Sequence, residues 1–208
     1  MKPRIITVEG NIGAGKSTLV ENMRKRYADR PDVLFLQEPV DIWTSTTQNG
    51  KSILELFYEN QEKYSFAFQV LAYTSRMQLI EKAVETKKYS VIVMERSLEA
   101  DRYIFAKMLY DEGLIEEIMY KVYLKMSDYG MNKFTAHGIL WVHTPPDTCF
   151  SRISERGRKG EDSIPLDYLN KCDVYHKEWL WMNVESGFVS LVHDEPDWTK
   201  IDRFLFDL

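Results

Sequence analysis

The sequence predicts an α/β fold, with a five-stranded parallel sheet carrying helices on both faces. Three observations predict it. Five short runs are nearly continuous in apolar and β-branched residues, as strands buried on both faces are. Helical stretches alternate with these runs, which implies right-handed crossovers between parallel strands. The first run opens straight into a glycine-rich turn ahead of a helix. With 208 residues, 44% of them hydrophobic and 28% charged, the chain can bury one sizeable core. No repeat, low-complexity tract or Gly/Pro/Ser-rich linker divides it, so residues 1–208 read as a single domain.

The elements follow in order. Arg4–Val8 is the first strand and Lys16–Ala28 the helix after it; Val33–Leu36 is the second strand. Gln61–Lys87 reads as a long amphipathic helix, because Phe66, Val70, Tyr73, Met77, Ile80 and Val84 recur at steps of three and four. Ser90–Met94 is a strand. Asp101–Met126 is helical, with a break near Gly113, and Gly138–His143 is a strand. Pro146–Arg156 begins with proline in its first turn, where the missing N–H costs little. Leu166–Val184 is a helix, Phe188–Val192 the fifth strand and Thr199–Phe206 the last helix. Ligands of such sheets sit at the carboxyl ends of the strands.

Composition excludes several classes. Lys and Arg total 27 against 32 Asp and Glu, a net charge of −5, where a protein that coats nucleic-acid polymers is usually basic. Two cysteines, Cys149 and Cys172, are too few for a disulfide scaffold and lack metal-ligand spacing, so they read as reduced, buried thiols. No apolar run approaches the roughly 18 residues of a membrane span. The first strand starts within a few residues of Met1, which leaves no room for a transit peptide unless one was removed. A cytoplasmic protein without membrane or nucleic-acid partners is the expectation.

Four segments carry chemistry. Gly10-Asn11-Ile12-Gly13-Ala14-Gly15-Lys16-Ser17 fits G-x-x-x-x-G-K-[ST], a loop that cradles phosphates at the start of a helix. Lys16 is expected on the β- and γ-phosphates and Ser17 on Mg²⁺, so a nucleoside triphosphate, ATP, is expected here. The guanine-reading N-K-x-D is absent, since Asn132-Lys133 leads to Phe134-Thr135. Met94-Glu95-Arg96-Ser97 sets a carboxylate beside an arginine at a strand end, which suits Mg²⁺ and a substrate oxygen better than hydrolysis. Gln37-Glu38-Pro39-Val40 ends the second strand in the same crevice, where a carboxylate accepts a proton from an attacking hydroxyl or binds metal. Arg152, Arg156, Arg158 and Lys159 put four cations in eight positions beside Gly157 and Gly160, a mobile lid over about 152–163.

In this order, Glu9 to Thr18, Gln37 to Val40, Glu95-Arg96-Ser97 and Arg156-Gly157-Arg158 resemble the deoxyribonucleoside kinase family, which includes deoxycytidine, deoxyguanosine and mitochondrial thymidine kinases. Tyr64 to Gln69 with Arg76 beyond, Asp101 to Ala106, Ile164 to Leu169, and Tyr175-His176 with Trp179 agree, so the resemblance spans about residues 4 to 205. It implies the P-loop kinase fold. It also implies that Glu38 is the general base for a 5′-hydroxyl, that Arg96 sits beside that hydroxyl and the γ-phosphate, and that Glu95 holds Mg²⁺ with Ser17. Arg152, Arg156 and Arg158 would close over the phosphates, and Tyr58 and Glu161 would bind the 3′-hydroxyl. Gln69 would pair with the base edge, with Phe68 and Phe105 near its plane and Trp43 at the pocket wall. Asp194, Glu195 and Pro196 would lie near the adenine of ATP. A homodimer, built from the long helix and the helix after Asp101, and feedback inhibition by a deoxynucleoside triphosphate are also implied.

Arg76 and Asp101, with Ala72 nearby, match the pair that goes with deoxycytidine and purine substrates in the resembling enzymes. An ion pair takes up the space of a thymine methyl and offers Asp101 to an exocyclic amine, so thymidine is disfavoured. Gly160 stands where a polar residue is common, which predicts a looser lid. Two other readings compete: a nucleoside monophosphate kinase such as a thymidylate kinase, which needs an arginine where Glu38 stands, and a nucleotide-binding protein without catalysis, which should have lost Glu38, Arg96 or the lid arginines.

Overall fold

The computed structural model describes residues 2–161, 163–184, 188–192 and 195–206. At its centre is β1 (Arg4–Glu9), flanked by β5 (Val91–Glu95) and β6 (Gly138–Val142), with β2 (Val33–Leu36) beyond β5 and β7 (Val189–Val192) beyond β6. All four pairings are parallel, with Ile6 opposite Val93 and Gly138. The sheet is the five-stranded parallel one the sequence predicts. From β1 the chain builds out to one side as β2 and β5, then to the other as β6 and β7, which puts a crevice at the carboxyl end of β1.

Alternate residues of each strand feed opposite faces. Ile6, Val8, Val91, Val93 and Leu140 pack against Leu19 and Val20 of α1 (Lys16–Arg26), with Leu169 of α9 (Leu166–Val184) and Ile201 of α10 (Trp198–Phe206) in the same cluster. Ile5, Ile92 and Met94 pack on the other face against Tyr73 and Ile80 of α4 (Gln61–Glu85) and Tyr123 of α7 (Glu117–Lys133). Cys149 and Cys172 are buried free thiols, and burial pushes them up to about 11 and about 12. Among the described residues no helix is long and apolar enough to cross a membrane.

The strands, α8 (Pro146–Arg156) and α9 match the sequence reading to within a residue or two. The region after β5 does not. Its helix starts at α5 (Leu98–Ala100), is π-wound over Asp101–Ala106, and continues as α6 (Lys107–Asp111) before the break at Gly113. α7 then runs seven residues past Met126, with Gly130 inside it. A Cβ on Gly130 would lie 2.5 Å from the Tyr73 hydroxyl, so glycine there serves the close crossing of α4 and α7. Sequence reading also misses α2 (Val40–Ser45), the β3–β4 hairpin (Thr47–Gln48 and Lys51–Ser52) and α3 (Ile53–Glu59). The hairpin turns on Asn49-Gly50, both at positive φ, as a tight two-residue loop requires. A reciprocal cap between Ser52 and Glu55 opens α3.

Candidate active site

The residues after β1, β2 and β5 converge on a cavity of about 550 Å³, within the roughly 300–1,000 Å³ of small-molecule sites. Its floor is the glycine-rich loop. Ile12, Gly13, Gly15, Lys16, Ser17 and Thr18 line it, while Gly10, Asn11 and Ala14 stand behind. Asn11 holds the loop's shape: its side chain donates to the Leu169 carbonyl (2.8 Å) and accepts from Ile12 N–H (2.8 Å), and its own carbonyl receives Lys16 Nζ at 2.9 Å. Arg152 donates to the Ala14 carbonyl at 3.3 Å. Burial, with Arg96 adding to it, lowers Lys16 to about 8.

Ser17 Oγ donates to Glu95 Oε1 at 2.6 Å. The pair sets two hard oxygen donors at the cavity edge, a set that fits Mg²⁺ when phosphates and water complete its shell.

Opposite the loop, Glu38 anchors a network of buried charges. Its Oε1 accepts from Arg96 Nε at 2.9 Å and from Arg76 Nη2 at 3.4 Å. Burial alone would raise this carboxyl, but Arg96, Arg76 and Lys16 outweigh it and hold Glu38 at about 2. Arg76 grips Asp101 with two bonds, Nε to Oδ2 at 2.9 Å and Nη2 to Oδ1 at 3.2 Å, and donates Nη1 to the Glu95 carbonyl at 3.2 Å. Arg76 and Asp101 are 2% exposed each, so the pair is desolvated and depends on this geometry. Arg96 lies over the Phe105 ring at 4.5 Å and donates to the Gly10 carbonyl at 3.1 Å. Its backbone is left-handed, φ 65, which costs a non-glycine residue roughly 1–2 kcal/mol.

The far end of the cavity is aromatic. Phe68 stacks on Phe57 at 4.7 Å and meets Trp43 edge-on at 5.6 Å; Trp43 donates Nε1 to Ser75 Oγ at 3.0 Å. Gln69 and Ala72 line this wall, and the buried Gln69 Oε1 has no hydrogen-bond partner among the described residues. Tyr58 meets Tyr168 edge-on at 6.0 Å.

Over the opening lies the segment after α8. Arg156 and Arg158 line the cavity, yet both are ion-paired with Glu161, Arg158 at 2.8 Å. The expectation of a looser lid is not met. Lys159 binds Glu55 at 3.0 Å, and Gly160, at φ 90, packs so tightly that a Cβ would fall 2.9 Å from the Glu55 side chain. Only glycine lets the segment dock on the start of α3.

Of the residues expected at the site, Glu195 and Pro196 do not line the cavity, and Asp194 lies outside the described residues. Leu54, Glu155 and Tyr168 line it without having been singled out. Tyr168 sits in a motif the sequence does show, Ile164 to Leu169, while nothing local marks Leu54.

Comparison with known proteins agrees with this geometry. The family model for deoxynucleoside kinase matches residues 6–203. Human deoxycytidine kinase is 35% identical over 84% of this chain and 74% of its own length. A probable deoxycytidine kinase of fowlpox virus is 33% identical over 88% and 74%, and the mitochondrial deoxyguanosine kinase of Xenopus laevis 30% over 86% and 74%. A phosphate loop and a buried acidic and basic cluster facing each other across one cavity, on a sheet that the family model spans almost end to end, place the chain in the deoxynucleoside kinase family.

Proposed function

We propose that the chain moves the γ-phosphate of ATP to the 5′-hydroxyl of a deoxyribonucleoside, in nucleotide salvage in the cytoplasm, as one domain with a lid at about 152–163. The observation that carries this reading is Glu38, a carboxylate held ionised by Arg96 and Arg76 in the cavity that also holds Lys16. Glu38 accepts the 5′-hydroxyl proton as the oxygen bonds to the γ-phosphorus and the bond to ADP breaks. The arginines keep this carboxylate ionised, so it stands ready to take the hydroxyl proton as transfer proceeds.

Arg96 steadies the entering oxygen. Ser17 and Glu95 would hold Mg²⁺, which would supply charge neutralisation on the donor phosphates. Lys16, Arg152, Arg156 and Arg158 surround those phosphates, so the lid arginines exchange Glu161 for phosphate, and Glu161 with Tyr58 turns to the 3′-hydroxyl. Gln69 gives its unpartnered oxygen to the base edge, between Phe68 and Phe105.

The buried Arg76–Asp101 pair favours a base bearing an exocyclic amine over thymine. The test is phosphorylation of deoxycytidine, deoxyadenosine, deoxyguanosine and thymidine in parallel. Preference for any of the first three supports the pair's role, and preference for thymidine removes it. A monophosphate kinase is disfavoured because an acceptor phosphate would face the negative charge of Glu38. The homodimer proposed through the long helix and the helix after Asp101 is supported by the exposed Ile118, Val122 and Tyr129 of α7, and feedback inhibition by a deoxynucleoside triphosphate would occupy both halves of the cavity.

Lys16 gives the reading a pH signature. The folded pKa is lowered from 10.5 to about 8. Activity with ATP, as kcat/KM, should fall through an alkaline limb near pH 8, because that ratio reports the free enzyme. Between these values the unfolded chain holds the proton and the folded one does not, so this residue makes stability rise with pH as activity falls. Thermal melts and initial rates across pH 7–10 check the opposite slopes; parallel slopes would remove Lys16 from both effects.

A further inference from the structure

We propose that Glu9 is a positioning residue for Arg96: by accepting the Ser97 N–H it holds the turn after β5 in the backbone form that carries the Arg96 guanidinium to Glu38. Its effect on turnover depends on the kinase reading above; its effect on the turn does not.

Glu9 ends β1 and is completely buried, yet it does not line the cavity. Acidic side chains are almost never fully buried unless they are paired. Burial pushes this carboxyl up to about 7 against the pull of Arg96. Its Oε1 accepts from Ser97 N–H at 2.7 Å. Among the described residues its Oε2 has no hydrogen-bond partner; it lies 4.0 Å from Arg96 Nη1, which has none among them either.

Three consecutive residues of β1 and its exit grip the same turn. The Val8 carbonyl accepts from Arg96 N–H at 3.0 Å, Glu9 takes Ser97 N–H, and the Gly10 carbonyl accepts from Arg96 Nη2 at 3.1 Å. The outer two acceptors are backbone carbonyls and survive any side chain at positions 8 and 10. Glu9 is the hold that the side chain encodes. It is needed because Arg96 sits at φ 65, a left-handed form that an arginine keeps only when its surroundings impose it. The Ser97 hydroxyl already accepts the Ala100 N–H at 2.9 Å to start α5, so the two groups of Ser97 anchor opposite ends of the turn. Release of Ser97 N–H lets Arg96 relax toward ordinary backbone angles, and its guanidinium leaves Glu38.

The test is steady-state kinetics on Glu9→Leu, Glu9→Gln and Glu9→Asp. Glu9→Leu should lower kcat at least ~10-fold with KM for ATP within about twofold, because the phosphate loop keeps its own bonds. Glu9→Gln retains an acceptor oxygen at the same reach and should recover most of the loss. In an Arg96→Ala background, Glu9→Leu should cost nothing further, since the residue it positions is gone. Wild-type turnover in a folded Glu9→Leu, or losses that multiply with Arg96→Ala, would overturn the assignment. If Glu9→Leu does not fold, Glu9→Asp decides: its carboxylate is one methylene short, so wild-type kcat would overturn the role and a reduced kcat at wild-type melting temperature would support it. Should the wild-type chain phosphorylate no deoxynucleoside, the functional reading fails alone. Amide hydrogen exchange over residues 95–98 still decides the positioning role. Faster exchange of Ser97 in a folded variant supports it and unchanged exchange overturns it.

Discussion

Glu38→Gln is expected to lower turnover by roughly 10²–10⁴-fold, the range for losing a general base, while ATP and nucleoside still bind. The substitution keeps the size of the side chain and removes the proton acceptor. Its arginine partners do not lose their places: Arg76 keeps both bonds to Asp101, and Arg96 keeps the Gly10 carbonyl. The cavity should therefore hold its shape, and the loss should appear in kcat rather than in KM. Equilibrium binding of each substrate beside single-turnover rates separates the two. Near-normal turnover would take Glu38 out of the role of base.

The largest loss of stability is expected from Arg76→Met. Its guanidinium serves Asp101, Glu38 and the Glu95 carbonyl at once, and the variant leaves Asp101 buried and unpaired. Breaking a buried pair from one side costs about 3–5 kcal/mol. At ~2–4 °C per kcal/mol for a chain of this size, the melting temperature should fall by about 6–20 °C. Adding Asp101→Asn removes the stranded charge and should recover a good part of the fall, a coupling that a double-mutant cycle measures. A shift of under ~2 °C for Arg76→Met would show that water reaches the pair.

The sheet was legible because its strands are buried on both faces and carry no competing signal. Val33–Leu36 and Pro146–Arg156 agree to the residue. The short pieces around the cavity mouth were not legible by periodicity, since α2 and α3 span six and seven residues and show under two full turns of pattern. Their local signals do exist: Asn49-Gly50 for the hairpin and Ser52-x-x-Glu55 for the cap of α3. The reach of α7 to Lys133, past the Met126 at which the sequence reading ends, takes in Gly130. A glycine reads as a helix breaker, and here it is demanded by the hydroxyl of Tyr73, a residue 57 positions away that no local pattern reveals.

The site divides the same way. Lys16, Glu38, Glu95 and Arg96 stand in motifs whose spacing places them at strand ends, and the structure gathers them in one cavity. The ion pairs of Arg156 and Arg158 with Glu161 were not visible, because the segment reads equally well as a set of free cations. Glu9 was hidden for a related reason: at the end of a strand, burial and the Ser97 N–H give it its role, and neither can be read from neighbouring residues.

The most direct measurement of the central claim is the product of the chain incubated with Mg²⁺, ATP and a single deoxyribonucleoside, identified by ³¹P NMR with ADP followed in parallel. The account predicts one 5′-monophosphate for each ADP formed, with deoxycytidine or a purine deoxynucleoside as acceptor. ADP without a phosphorylated nucleoside, or transfer only when the acceptor is dTMP, would contradict it.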